Sequence, residues 1–202
     1  MWLDTLKDVL DIPQLFDWEQ RLIGAVHAHR VLINDYVKPI AGERVLDIGC
    51  GTGASALHVP AETEYVGIDI NEAYIARAKK KFGACKTFKV DDVTTMPISE
   101  DSFDRAFSFG VLHHIDDNGV RSLLSKITKL VKPRGIYVTL DPCLVPGQNP
   151  IARVLAEHDR GKFVRKVEQL EGVFAGFGSL KTDIRSDLLK IPFTAVICVL
   201  TV

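Results

Sequence analysis

Residues 44–55, RVLDIGCGTGAS, put glycines at alternate positions, Gly49, Gly51 and Gly53, directly after a short apolar run, with an acid, Asp47, two residues ahead of the first. A β-type run ending in such a turn marks the edge at which a parallel α/β sheet meets a ligand. Glycine takes positive φ and lets the backbone close on a bound group, and a helix starting just beyond offers unpaired N–H groups to an anion. ASALHV, from Ala54, predicts that helix.

Outward from this loop, β-type and helical stretches alternate. EYVGIDI (64–70), KTFKV (86–90), DRAFSF (104–109) and GIYVTL (135–140) read as strands; EAYIARAKKKF (72–82) and NGVRSLLSKITKLV (118–131) read as helices. Strands joined by crossovers of about ten or more residues form a parallel sheet covered on both faces. Upstream, Leu15, Leu22, Ile23, Val26, Ile33 and Val37 recur at helical spacing, and Pro39 ends that helix. From Pro142 to Gly178 the alternation breaks into a helical insert, where Asn149 is placed to cap a helix with Pro150 at its first position. SLKTDIRSDLL (179–189) and FTAVICVLTV (193–202) then form two β-type runs about a short turn at Lys190 to Pro192. Such a connection suits an antiparallel hairpin, since parallel neighbours need a longer crossover. The predicted fold is α/β and Rossmann-like: a seven-stranded, mostly parallel sheet with an antiparallel last strand and helices on both faces. One domain spans 1–202, with a helical cap (1–40), a cofactor-binding core (41–141), the insert (142–178) and the terminal hairpin (179–202).

Composition narrows the classes of function. The chain has 202 residues, 47% hydrophobic, and a formal net charge of -1, which gives no broad electrostatic reason for a polyanion partner. Its four cysteines, Cys50, Cys85, Cys143 and Cys198, show no metal-ligand spacing and read as reduced, mostly buried thiols; no metal site is predicted. The opening stretch carries acids throughout and lacks the basic flank of a signal peptide. No apolar run reaches the ~20 residues of a membrane span. A cytoplasmic protein without a membrane span is expected.

The loop's chemistry points to a nucleoside. Asp69 ends the next strand 22 positions after Asp47, where a carboxylate can accept both ribose hydroxyls. Gly49 to Ala54 also fits the dinucleotide pattern G-x-G-x-x-A, so a nicotinamide or flavin enzyme competes. Asp47 argues against pyrophosphate, which it would repel, and for a ligand carrying an ammonium and a sulfonium. S-adenosyl-L-methionine carries both, and its carboxylate can lie against the N–H groups near Thr52 and Gly53.

VLDIGCGTG, GIDI, VDDVTTMP, SFDRAFSFGVLHHI and LVKPRGIYVTL stand in the order and at roughly the spacings of class I S-adenosylmethionine-dependent methyltransferases, which the sequence resembles from about Arg44 to Leu140. The resemblance implies that Gly49, Cys50, Gly51, Thr52 and Gly53, with Asp47, hold the methionine part, and that Asp69, beside Ile70, binds the ribose. It further implies that Asp92 accepts from the adenine amino group and the Val93 N–H faces a ring nitrogen. The backbone of Ser108 and Phe109 would face the ammonium, while Asp91 reads as a solvated acid. The acceptor would sit after the fourth strand, near His113 and His114, either of which can serve as a proton acceptor or simply pack. Asp141 is the other candidate, against a plain role as a turn acid before Pro142.

The cap and the insert would roof the acceptor. Arg160 and Arg165, in a run with Arg153, His158, Lys162 and Lys166, could receive an anionic group; the plainer reading is a solvated helix laced with ion pairs. Tyr36, with Phe16 and Trp18, offers an aromatic wall or simply core. The motif [ND]PP[FYW] is missing after the fourth strand and no basic stripe is present, which favours a small-molecule acceptor over amide nitrogen or nucleic acid. The function expected is methyl transfer to an oxygen or nitrogen of a small molecule by in-line displacement. The alternatives are an aminopropyltransferase, an NAD(P)-dependent oxidoreductase and a catalytically inactive partner subunit.

Overall fold

A computed structural model describes residues 22–97 and 102–202. In chain order these form α1 (Ala25–Val31), β1 (Arg44–Ile48), β2 (Glu64–Asp69), α2 (Glu72–Phe82), β3 (Thr87–Val90), β4 (Phe103–Phe109), α3 (Asp117–Leu130), β5 (Val131–Leu144), α4 (Pro150–Glu157), β6 (Arg165–Lys166), α5 (Val167–Phe174), β7 (Ser179–Arg185) and β8 (Ala195–Thr201). The strand order is β3-β2-β1-β4-β5-β8-β7, with β6 paired to the end of β5. β1, β2, β3, β4 and β5 are mutually parallel, and β8 runs antiparallel to both β5 and β7. The mostly parallel sheet with a reversed last strand is therefore as predicted.

Strand alternation divides the apolar residues between two cores, one on each face of the sheet. Leu46 and Ile48 of β1 pack with Leu123, Leu124 and Ile127 of α3 and Phe174 of α5. Val45, their neighbour in sequence, faces Ala28 of α1 and Ile75 of α2. α3 forms because Val120, Leu123, Leu124, Ile127 and Leu130 recur on one face, all buried, and because Asp116 caps its start by accepting from the Gly119 N–H at 2.8 Å. Each such side chain contributes about 1.5–3 kcal/mol by leaving water, so packing rather than propensity holds the helix.

Four local expectations are corrected. The helix read from Leu15 to Val37 is broken at Gly24 (φ 85°), and Leu22 and Val26 face solvent; α1 then passes into a π-helical turn, Leu32–Val37, that stops at Lys38 in a left-handed conformation. Leu15, Phe16 and Trp18 lie outside the described residues. ASALHV makes a single 3-10 turn, Ser55–Leu57, which is shorter than the six-residue helix the sequence suggests. β5 continues through Asp141 and Pro142 to Leu144, so Asp141 is a strand residue and not part of a turn. The terminal hairpin lacks a tight turn at Lys190 to Pro192. β7 ends at Arg185, and residues 186–194 form the connection, which Leu188 anchors by burying its side chain in the core. The cap of α4 is as expected: Asn149 Oδ1 accepts from the Ile151 N–H at 2.9 Å, with Pro150 at the first position. All four cysteines are free thiols, and Cys85 alone of them is exposed.

Candidate functional site

β1 ends in the glycine turn because its backbone must reverse over the carboxyl end of β2. Gly49 and Cys50 donate their N–H groups to the Ile68 carbonyl at 2.8 and 3.0 Å, and the Gly51 N–H reaches Asp69 Oδ2 at 2.9 Å. Gly49 holds φ 69°, and a Cβ there would lie 2.6 Å from a Val111 methyl; at Gly53, φ 80°, a Cβ would lie 2.7 Å from the Phe82 ring. Both positions therefore require glycine. Asp69 also accepts from the Asn71 N–H at 2.8 Å, so it ties the loop to the start of α2. A carboxylate has about four lone-pair sites, which leaves capacity for a diol.

A cavity of about 430 Å³ opens above the carboxyl ends of β1, β4 and β5. Gly49, Cys50, Gly51 and Ser55 line one end with Tyr74, while His113, His114, Pro142, Asp159 and Arg160 line the other. Phe109 and His29 lie between, and Leu189 and Phe193 of the 186–194 connection complete the wall. This backbone cradle beside a carboxylate fits the amino-acid nucleoside that the sequence implies. Ile70 is exposed at the rim, and Asp92 is turned back on the Thr94 N–H and hydroxyl at 2.7 Å each. Val93 is buried in the core, and the Thr52 side chain is buried. Ser108 is also fully buried, its side chain hydrogen-bonded to Tyr137 and Thr139 and its backbone in register with β1 and β5.

Asp47 does not face the cavity. It shares the β1 face of Val45, is 1% exposed, and accepts from the Tyr65 hydroxyl at 2.5 Å; burial, opposed by that bond, pushes its pKa up to about 7. The direct attraction for a cationic ligand predicted for it is thereby corrected. Tyr36 also lies elsewhere, hydrogen-bonded to Asp183 and Arg185 of β7. Arg165 is buried and its guanidinium is spent on the carbonyls of Leu112 (2.8 Å), Phe163 (3.1 Å) and Ile115 (2.6 Å) and on Asp117 (2.8 Å), so it fastens the insert instead of meeting an acceptor. Arg160, of the basic run, does line the cavity.

The two histidines separate clearly. His113 lies between two carboxylates, with Nδ1 2.9 Å from Asp141 Oδ1 and Nε2 3.2 Å from Asp159 Oδ1. Burial alone would lower its pKa, but the hydrogen bond to Asp141 and the charges of Asp141 and Asp159 outweigh it, and the pKa is raised. His114, more exposed, has its pKa lowered by burial and by His113. Beneath them a chain of hydroxyls runs through the floor. Tyr137 bonds Ser108 at 2.7 Å, Ser108 donates to Thr139 at 3.1 Å, and Thr139 donates to Asp141. Above, Gly161 packs so closely that a Cβ would fall 2.0 Å from His113 Cδ2, and the Phe163 N–H donates to the His113 carbonyl at 2.9 Å.

The sequence reading missed His29, the partner role of Asp159, and Leu189 with Phe193. The spacing of Ala25, Ala28, His29 and Leu32 does put His29 on the buried stripe of its helix, a signal that was present. Among the described residues no group of three His, Cys, Asp or Glu could hold a metal, and no helix is long and apolar enough to cross a membrane.

Comparison with known proteins follows this geometry. Residues 45–135 match the model of a methyltransferase domain. The chain is 31% identical over 124 residues to the O-methyltransferase resE of Aspergillus sclerotiorum, covering 56% of this chain and 46% of that one. It is 31% identical over 153 residues to phosphoethanolamine N-methyltransferase 1 of Zea mays, covering 72% of this chain and 30% of that one. The chain thus spans less than half the length of either relative. Among solved structures, a chain of the complex between the Haloferax volcanii Trm112 methyltransferase activator and a methyltransferase aligns with TM-score 0.75 over 96% of both chains, at 16% identity, a likeness of fold.

Proposed function

Since the chain belongs to the class I S-adenosylmethionine-dependent methyltransferases, we propose that it moves a methyl group from that cofactor to an oxygen or nitrogen of a small molecule held between His113 and the insert. One observation carries the reading: a single cavity joins the glycine loop to the Asp141–His113–Asp159 cluster. When bound, the cofactor supplies a methyl carbon made electrophilic by its sulfonium. The glycine loop, the Ser108–Phe109 backbone and Asp69 hold it at one end, with Asp92 and Val93 toward the adenine.

The protein's part is alignment and exclusion of water, which for well-oriented in-line displacement is worth up to about 7–11 kcal/mol. Proton removal falls to His113. Its Nε2 faces Asp159 across 3.2 Å; an acceptor hydroxyl or amine entering there displaces that carboxylate, and the ring, its Nε2 proton first released to solvent, takes the acceptor's proton while Asp141 orients it through Nδ1. Asp141 is in turn fixed by the Thr139 hydroxyl and by the His113 N–H at 3.2 Å. Arg160, at the same end, suits an acidic group on the acceptor.

The test is incubation of purified protein with methyl-labelled S-adenosylmethionine and a fractionated metabolite extract. Label should appear in a small-molecule fraction together with S-adenosylhomocysteine. Preferential binding of NADH over S-adenosylmethionine, or failure of every fraction to yield S-adenosylhomocysteine, overturns the proposal.

A further inference from the structure

We infer that His29 binds the amino-acid end of S-adenosylmethionine, donating its Nε2–H to the carboxylate at the glycine loop; this rests on the cofactor reading above. His29 is a polar side chain on the buried face of α1, and it joins three segments. Its Nδ1 lies 2.8 Å from Ser55 Oγ, just beyond the glycine loop, and its ring stacks on Phe109 at the end of β4, centroids 3.9 Å apart and 21° from parallel. It lines the same cavity as Gly49 and Gly51.

The ring's protonation state follows from its surroundings. Burial, helped by the charges of His58 and Lys81, lowers its pKa to about 3, so the imidazole is neutral and carries one N–H. In the tautomer we propose, the Ser55 hydroxyl donates to Nδ1 and the single ring proton sits on Nε2. Among the described residues Nε2 has no hydrogen-bond partner. Leaving a ring N–H without an acceptor costs about 1–3 kcal/mol. A donor open to a cavity calls for an acceptor.

The local field selects an anion. Lys81 is a positive charge near His29, while the acids of the loop are already engaged, Asp47 by the Tyr65 hydroxyl and Asp69 by the Gly51 and Asn71 N–H groups. The glycine-loop end thus offers a neutral donor with the Lys81 charge near it. With His113, Asp159 lines the cavity as well. A zwitterionic amino-acid group is oriented by that contrast, its carboxylate toward His29.

The experiment compares two ligands by calorimetry: S-adenosylhomocysteine, and 5′-deoxy-5′-methylthioadenosine, which keeps the adenosine and thioether but lacks the amino-acid group. His29→Phe preserves the stack on Phe109 and removes the donor, whereas His29→Gln keeps an N–H. His29→Phe should weaken S-adenosylhomocysteine about 10- to 100-fold and methylthioadenosine by less than about twofold, with His29→Gln retaining most of the affinity. Normal S-adenosylhomocysteine binding by His29→Phe, or equal weakening of both ligands, overturns the inference. Failure of the unaltered protein to bind either ligand overturns the cofactor reading itself, and the inference with it.

Discussion

Replacing Asp141 with asparagine tests the His113 cluster most directly. Three donors converge on the Asp141 carboxylate: His113 Nδ1 at 2.9 Å, the His113 N–H at 3.2 Å, and the Thr139 hydroxyl. Both partners are buried, at 2% and 8% exposure, so solvent screens little. Asparagine keeps one acceptor oxygen but points an NH₂ group at either the ring or Thr139, which already donates toward this position. Losing the charge-assisted bond and disturbing a second should cost about 2–4 kcal/mol, or about 4–16 °C in midpoint for a chain of this size.

The sign of the pH dependence follows from the raised pKa of His113, whose ordinary value is 6.5. A histidine whose folded pKa is raised contributes stability that is fully present below the unfolded value and is lost as pH rises through the folded one. The Asp141→Asn deficit should therefore be largest below about pH 6.5 and shrink above it. Asp159, Arg165, His114 and Arg160 also act on this ring system, and the variant leaves them unchanged. Urea unfolding at several pH values, with the His113 ring titrated by NMR, reads both quantities. A deficit that grows with pH, or a His113 pKa that does not fall in the variant, refutes the reasoning.

Asp69→Ala should weaken S-adenosylmethionine binding by about 1–3 kcal/mol in calorimetry, since it removes a ribose acceptor and frees the Gly51 N–H; unchanged affinity would mean the ribose lies elsewhere. Gly161→Ala forces a methyl group to within 2.0 Å of His113 Cδ2, and should cost about 1–3 kcal/mol of stability while releasing Asp159 from the ring, which a shift of the His113 NMR signals would report. Asp47→Asn should gain on the native protein as pH rises from about 4 to 8. An acid whose pKa is pushed up to about 7 makes the native state bind the extra proton, so native stability falls across that window; a pH-independent difference between the two proteins would count against a buried charge there.

The sheet was legible in the sequence because strand and helix periods differ and because Gly49 and Gly53 have backbones that other residues cannot follow. His113 and Asp141 were legible as positions after β4 and at the end of β5, yet their pairing was not, since it joins residues 28 apart across two strands. Asp47 was misread for a definable reason. Its spacing from the glycines is right for a ligand contact, but strand alternation turns it to the face of Val45 and onto Tyr65, where water is excluded and the charge loses its support. Arg165 reads as one of a linear run of basic residues, whereas its fate is set by the carbonyls of Leu112 and Ile115, about fifty residues away, and by that of nearby Phe163. A short turn at Lys190 to Pro192 follows from reading SLKTDIRSDLL as extended through Leu189, whereas β7 ends at Arg185. Leu188 is buried in the core, and Leu189 and Phe193 join the cavity wall.

That connection dictates the order in which the site can come into being. Leu189 and Phe193 belong to the wall, and they are held in place by β8, which slots between β5 and β7 only after residues 195–201 exist to pair with both. During synthesis the glycine loop, His113 and Asp141 are all made well before this. A nascent chain can thus lay down β1 to β5 with an exposed edge and no closed cavity. The cavity wall is completed only once β8 has paired with β5 and β7, after the residues of the glycine loop, His113 and Asp141 have all been made.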